Sequence, residues 1–144
     1  MLSAESILSR KGTDVATIDR ETTVLDAAKL MNARRIGALV VTSGENVVGI
    51  FTERDVLNRV VAAGKPAEKV RVGEVMTSPM ACCRRDTKLT ECRSVMTAKR
   101  IRHLPVVENG KLYGIISIGD LMASEVADQQ ETIEYMHQYI YGRS

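Results

Sequence analysis

The residues best equipped for chemistry in this chain come as two matched sets. Thr52 is followed three residues later by Asp55, and Ser117 by Asp120; each set is entered through a glycine and two apolar residues, Gly49-Ile50-Phe51 and Gly114-Ile115-Ile116. A hydroxyl with a carboxylate three positions on has the spacing of a helix start. The hydroxyl caps the first turn and the acid folds back onto the cap amide, in an imperfect box because Asp is shorter than the usual Glu. For one copy alone, that structural role is the simpler one. The same corner also suits a ligand, because amides and a hydroxyl at a helix start attract an anion. The carboxylate repels bare phosphate but accepts hydrogen bonds from a vicinal diol. Donors for an anion beside an acceptor for a diol describe a phosphorylated ribose, so a nucleotide uses both groups.

The elements that must position these corners are themselves repeated. The offset from Gly49 to Gly114, 65 residues, also pairs Thr22 with Thr87, Met31 with Met96, Arg35 with Arg100, Ile36 with Ile101, Leu39 with Leu104 and Val41 with Val106 without a gap. That many coincidences in one register mark an internal repeat. In the first copy, residues 15–18 are extended and Thr22-Thr23 ends a turn able to cap a helix. Val24, Ala27, Ala28, Met31 and Arg35 follow as one buried stripe. Strands over 37–41 and 47–51 flank the turn Ser43-Gly44-Glu45-Asn46 and make a hairpin. A second helix starts at Thr52, carries Val56, Leu57, Val60 and Val61 at helical spacing, and stops at Gly64-Lys65-Pro66.

The second copy repeats this order with a strand over 80–83, a helix over 89–100, a hairpin over 104–116 around Glu108-Asn109-Gly110, and a helix from Ser117. The expected fold class is α+β. Its parts are a first repeat with its own lead-in over 1–68, a second repeat over 69–124 opening on a helical lead-in, and an amphipathic tail over 125–144. In the tail, Val126, Ile133, Met136 and Ile140 recur at roughly helical spacing, either packed back on their own domain or as a dimerisation element.

At 144 residues the two halves are each too small to bury a confident core alone, so they are expected to share one. Hydrophobic residues make up 44% of the chain but aromatics 3%, with no Trp and one Phe, which makes that core aliphatic. The net charge of +2 is interspersed, so no basic arm points to nucleic acid. No apolar stretch approaches the roughly 20 residues of a membrane helix, and no signal core follows Met1; a cytoplasmic location is expected. Three cysteines, an odd number, fit a reducing compartment. Cys82 and Cys83 are neighbours, and with Cys92, His103 and His137 they form no recognisable metal spacing, so no metal is expected.

These residues resemble a tandem pair of CBS domains, a Bateman module of the stand-alone bacterial type. The resemblance spans residues 15–123 and rests on the Gly-apolar-apolar-Thr/Ser-x-x-Asp run in both copies. It also rests on Arg35-Ile36-Gly37-Ala38-Leu39-Val40-Val41 and Arg100-Ile101-Arg102-His103-Leu104-Pro105-Val106-Val107. It implies two β-α-β-β-α repeats about a pseudo-twofold axis, with sheets packed together, an extra C-terminal helix and two clefts that take adenine nucleotides. By the resemblance, Asp55 and Asp120 would hold ribose hydroxyls, with Thr52 and Ser117 beside ribose or phosphate. Thr17, Ile18, Cys82 and Cys83 would line adenine, and Arg102 and His103, with Arg54 nearby, would reach phosphate. The subgroup resembles binders of AMP and of NAD or NADH.

The copies differ where it matters, since Gly37-Ala38 stands opposite Arg102-His103 and Glu53-Arg54 opposite Ile118-Gly119. Two electrostatically unequal clefts are expected. The function expected is a non-catalytic regulatory sensor, a homodimer acting on an unidentified protein. Two rival readings use the same scaffold. Nucleic-acid binding is disfavoured by the modest charge and missing aromatic platform, and a thiol switch would place its chemistry at Cys82-Cys83. The chain lacks the motifs of a hydrolase elbow, a phosphate loop, a dinucleotide fingerprint and a zinc protease, so an enzyme is not expected.

Overall fold

The computed structural model describes residues 2–128. The elements run α1 (Ala4–Lys11), β1 (Thr17–Asp19), α2 (Val24–Arg34), β2 (Ala38–Ser43), β3 (Asn46–Thr52), α3 (Glu53–Asp55) continuing into a π-helical stretch (Val56–Val61), α4 (Val72–Val75), α5 (Leu89–Lys99), β4 (His103–Glu108), β5 (Lys111–Ser117) and α6 (Ile118–Asp128). This is the expected α+β class. β1 pairs parallel with β2, β2 pairs antiparallel with β3, and β4 and β5 form a separate antiparallel pair. The strand expected over 80–83 is reduced to one bridging residue. Cys83 donates its amide to Pro105 O at 2.9 Å and its carbonyl accepts from Val107 N at 2.8 Å.

Local chemistry explains the boundaries. Thr23 accepts the Asp26 amide and caps α2, while Arg35 adopts a left-handed conformation at φ 54° and ends it. Arg35 is therefore exposed and leaves the buried stripe assigned to it. A residue that terminates a helix in left-handed geometry turns away from the helix's apolar face. Arg100 ends α5 in the same way at φ 55°. The two-residue turn Asn109-Gly110 has positive φ at both positions, the geometry that matches strand twist.

The second helix of the first copy buries Val60 completely but leaves Leu57 59% and Val61 64% exposed. The π-helical stretch winds more widely than an α-helix and shifts those two residues off the inward stripe expected for them.

Two aliphatic cores, rather than the one shared core expected, hold the fold, and the lead-in helices cross between them. Ala4, Ile7 and Leu8 of α1 join Cys83, Cys92, Met96, Leu104, Val106, Ile116 and Leu121 of the second repeat. Val72 and Val75 of α4 join Val24, Ala27, Met31, Leu39, Val41, Phe51 and Val60 of the first. The expectation that residues 3–10 serve the first copy is thus corrected: α1 completes the second core and α4 the first. A side chain from α5 and one from α6, Arg93 and Glu125, form an ion pair. α6 covers the first four residues of the expected tail, and the remainder of the tail lies outside the described residues.

The crossing explains the glycine in each repeated motif. A Cβ on Gly49 would stand 2.7 Å from the Thr77 carbonyl oxygen and 2.9 Å from the Met76 sulfur. A Cβ on Gly114 would stand 2.5 Å from Leu8 Cδ2. Backbone held by the Ile50–Thr77 hydrogen bonds yields less readily than a leucine methyl. Gly49→Ala is expected to cost about 1–3 kcal/mol and Gly114→Ala less, read as a lower urea midpoint at unchanged slope.

Candidate functional site

Both hydroxyl-carboxylate corners form capping boxes. The Thr52 amide donates to Asp55 Oδ2 at 3.0 Å, and the Asp55 amide donates to Thr52 Oγ1 at 3.3 Å. The Ser117 amide donates to Asp120 Oδ2 at 2.8 Å, and the Asp120 amide donates to Ser117 Oγ at 3.1 Å. The first helical amide is taken as well, since Glu53 N donates to Gly37 O at 3.0 Å and Ile118 N to Arg102 O at 2.8 Å. A phosphate held here therefore depends on side chains more than on those amides.

The surroundings of the two corners differ. Thr52 and Asp55 open onto a cavity of about 540 Å³, within the range of small-molecule sites. Glu53, Arg54, Asn58 and Arg59 extend the first-repeat wall. Thr77, Pro79, Met80 and Ala81 of the linking segment line another side, and Lys99, Arg100, Ile101, Arg102 and His103 of the second repeat face them. Asp55 is 7% exposed; its Oδ1 accepts from Thr77 Oγ1 at 3.1 Å and faces Arg59 Nε at 3.6 Å. The hydroxyl is able to turn, and Arg59 is held back by its Nη1 donating to the Val75 and Met76 carbonyls, which leaves that oxygen available to a ligand diol. Arg54 Nη1 donates to Arg100 O at 2.9 Å and ties the two walls together.

Five permanent cations, Arg54, Arg59, Lys99, Arg100 and Arg102, line this cavity against the two acids Glu53 and Asp55. The excess favours an anionic ligand. Gly37 allows the close approach, because a Cβ there would lie 3.1 Å from Glu53 Oε1 and 3.4 Å from His103 Cε1. Burial pushes His103 below its ordinary value of 6.5, and the Glu53 carboxylate only partly opposes this.

Of the residues named from sequence, Thr52, Asp55, Arg54, Arg102 and His103 come together around one cavity. Thr17, Ile18, Cys82 and Cys83 do not line it, whereas Thr77, Pro79, Met80 and Ala81 do. Ile18 packs on the first core, Cys82 is exposed and Cys83 faces the second core. A hydrogen bond with Cys92, together with burial, pushes the Cys83 thiol well up.

Ser117 and Asp120 form the second corner apart from this cavity, where Lys11 Nζ donates to Asp120 Oδ2 at 2.7 Å. Burial raises the Asp120 pKa, but the hydrogen bonds from Lys11 and Ser117 outweigh it and hold this carboxyl below its usual range. Sequence reasoning missed Thr77, Lys99, Arg100 and Lys11. Lys99 and Arg100 adjoin Arg102 in a basic run that was readable, whereas nothing local to Lys11 signals Asp120. Among the described residues no group of His, Cys, Asp or Glu could hold a metal ion, and no helix is long and apolar enough to cross a membrane.

The pattern of the CBS domain matches residues 4–62 and 72–126. The chain therefore belongs to the CBS-domain family and carries two such domains. Its paired-domain members are generally regulatory and ligand-sensing and typically bind adenosine-containing ligands.

Among its relatives, the CBS domain-containing protein CBSX3, mitochondrial, of Arabidopsis thaliana is 36% identical over 83% of this chain and 61% of its own length. YhcV of Bacillus subtilis is 30% identical over 86% of this chain and 88% of its own. The chain thus spans less than two thirds of that first relative, and 22% of another from Arabidopsis thaliana, CBSCBSPB5. A putative signal-transduction protein with CBS domains from Burkholderia ambifaria superposes with a TM-score of 0.86 at 41% identity, over 89% of this chain and 96% of that one.

The lowered His103 value sets a pH signature. An imidazole that titrates lower when folded leaves stability intact above about pH 6.5 and withdraws it as pH falls through the folded value. His103→Gln is expected to flatten the fall in unfolding free energy between about pH 7 and 5, measured by urea denaturation across that range.

Proposed function

We propose that this chain is a non-catalytic regulatory sensor that binds an adenine nucleotide, AMP or NAD(H), in the cleft between its two repeats. The supporting observation is a cavity that sets the Thr52–Asp55 corner of one repeat against the Lys99–His103 basic wall of the other. Ribose hydroxyls donate to Asp55 Oδ1, displacing Thr77, with Thr52 beside them. Phosphate lies toward Arg54, Arg102 and His103. The apolar wall of Ile50, Pro79, Met80, Ala81 and Ile101 receives the base.

A ligand that touches both repeats favours whichever relative position makes those contacts best, and shifts the equilibrium by that difference in affinity. The same chemistry makes binding pH-dependent. Phosphate beside His103 favours the imidazolium, so its pKa rises on binding and a proton is taken up. Affinity for AMP is expected to increase from pH 7.5 to pH 6, with an enthalpy that varies with buffer ionisation. His103→Gln leaves only the pH dependence that the AMP phosphate itself contributes, and Asp55→Ala weakens AMP binding at least tenfold in calorimetry. Undiminished affinity of Asp55→Ala would exclude the assignment of this corner.

The protein's own copy is the partner that the exposed apolar residues support. Leu57 and Met122 occupy matching positions 65 residues apart, one on the second helix of each repeat, and are 59% and 58% exposed. A homodimer in the cytoplasm, passing the ligand signal to a further protein, is the assembly we propose. Leu57→Glu with Met122→Glu is expected to shift the mass seen by sedimentation equilibrium from dimer to monomer.

A further inference from the structure

The two corners are matched in sequence and differ in what covers them. By the offset of 65, Lys11 at the end of α1 stands where Met76 stands at the end of α4, and Gly12 where Thr77 does. In the first half the Met76 sulfur lies over Gly49, and the neighbouring Thr77 gives Asp55 a neutral, rotatable hydroxyl donor beside an open cavity. In the second half Lys11 Nζ donates to Asp120 Oδ2 at 2.7 Å and to Ile115 O at 3.0 Å. The two side chains are 34% and 23% exposed, so water screens the pair only in part. Asp120 Oδ2 also receives the Ser117 amide. Neither Ser117 nor Asp120 lines the 540 Å³ cavity.

We infer that Lys11 is an internal plug: its ammonium pairs with the Asp120 carboxylate through Oδ2, weakens the whole group as an acceptor for a ribose diol, and so confines nucleotide binding to the Asp55 cleft. A diol brings neutral donors, which are weaker partners for a carboxylate than an ammonium in a charge-assisted hydrogen bond. To enter, it must also strip Lys11 from the Ile115 carbonyl. The lysine is held from its other side too, since it lies in the last turn of the eight-residue α1, where a cation is favoured. Gly12, at φ 95°, ends the helix directly after it and fixes where the side chain starts. The first corner has a cation too, but Arg59 Nε stands off at 3.6 Å from Asp55 Oδ1, against 2.7 Å for Lys11 on Asp120, so the tight ammonium contact is what sets the second corner apart.

The inference rests on the nucleotide reading above, and calorimetric titration of the whole chain with AMP separates the two. Wild type is expected to bind one AMP per chain. Lys11→Met, which installs the residue of the matching position, is expected to bind two. Lys11→Met combined with Asp55→Ala is expected to keep one, through Asp120. Lys11→Gln removes the charge with little change in length and serves if the methionine variant does not fold. Wild type that already binds two AMP, or uncharged variants that gain no site over wild type, would overturn the plug. Failure of the nucleotide reading looks different: wild type then binds no AMP, whatever the Lys11 variants do.

Discussion

The close approach of Leu8 to Gly114, and of the Met76-Thr77 segment to Gly49, is the constraint on which the rest of the structure depends. Each repeat contributes a hairpin and two helices, yet neither closes its own core. α1 comes from in front of the first repeat and seals the second, while α4 comes from between the repeats and seals the first. Small domains bury too small a share of their surface to be stable on one thin core. Exchanging the sealing helices makes each half depend on a helix that enters from outside it. The glycine of each motif is what lets a sealing segment reach the sheet.

The site follows from that exchange. Because the segment after α4 crosses Gly49, it carries Thr77 to the Asp55 carboxylate and lays Pro79, Met80 and Ala81 along the cavity. Because the segment at the end of α1 crosses Gly114, it carries Lys11 to Asp120. The same architectural move therefore brings a neutral hydroxyl to one corner and an ammonium to the other. Capping and ligand binding do not compete at Asp55. Its Oδ2 is engaged by the cap amide, while Oδ1 has a rotatable hydroxyl and an arginine standing off at 3.6 Å.

Electrostatics adds direction to this asymmetry. The basic run from Lys99 to His103 follows the left-handed end of α5 and enters β4, so the chain's own turn geometry aims it across at Arg54 and Asp55. Gly37, the counterpart of Arg102, stays small because Glu53 and His103 lie directly on it. Copying the basic pair into the first repeat would force a clash there.

The sequence by itself determined the repeat, the order of elements, the caps at Thr23, Thr52 and Ser117, the hairpin turns, and the pairing of Asp55 and Asp120 as equivalent corners. Those features are written in spacing of three or four residues, or in one constant offset, and local backbone energetics suffices to read them. Tertiary structure alone decided that Arg35 would leave its helix, that Leu57 and Val61 would face outward, and that the lead-in helices would trade cores. It also decided that Lys11 would meet Asp120 across 109 positions of chain. Periodicity reports which face of an element is apolar, but which other element covers that face depends on packing between segments far apart in sequence.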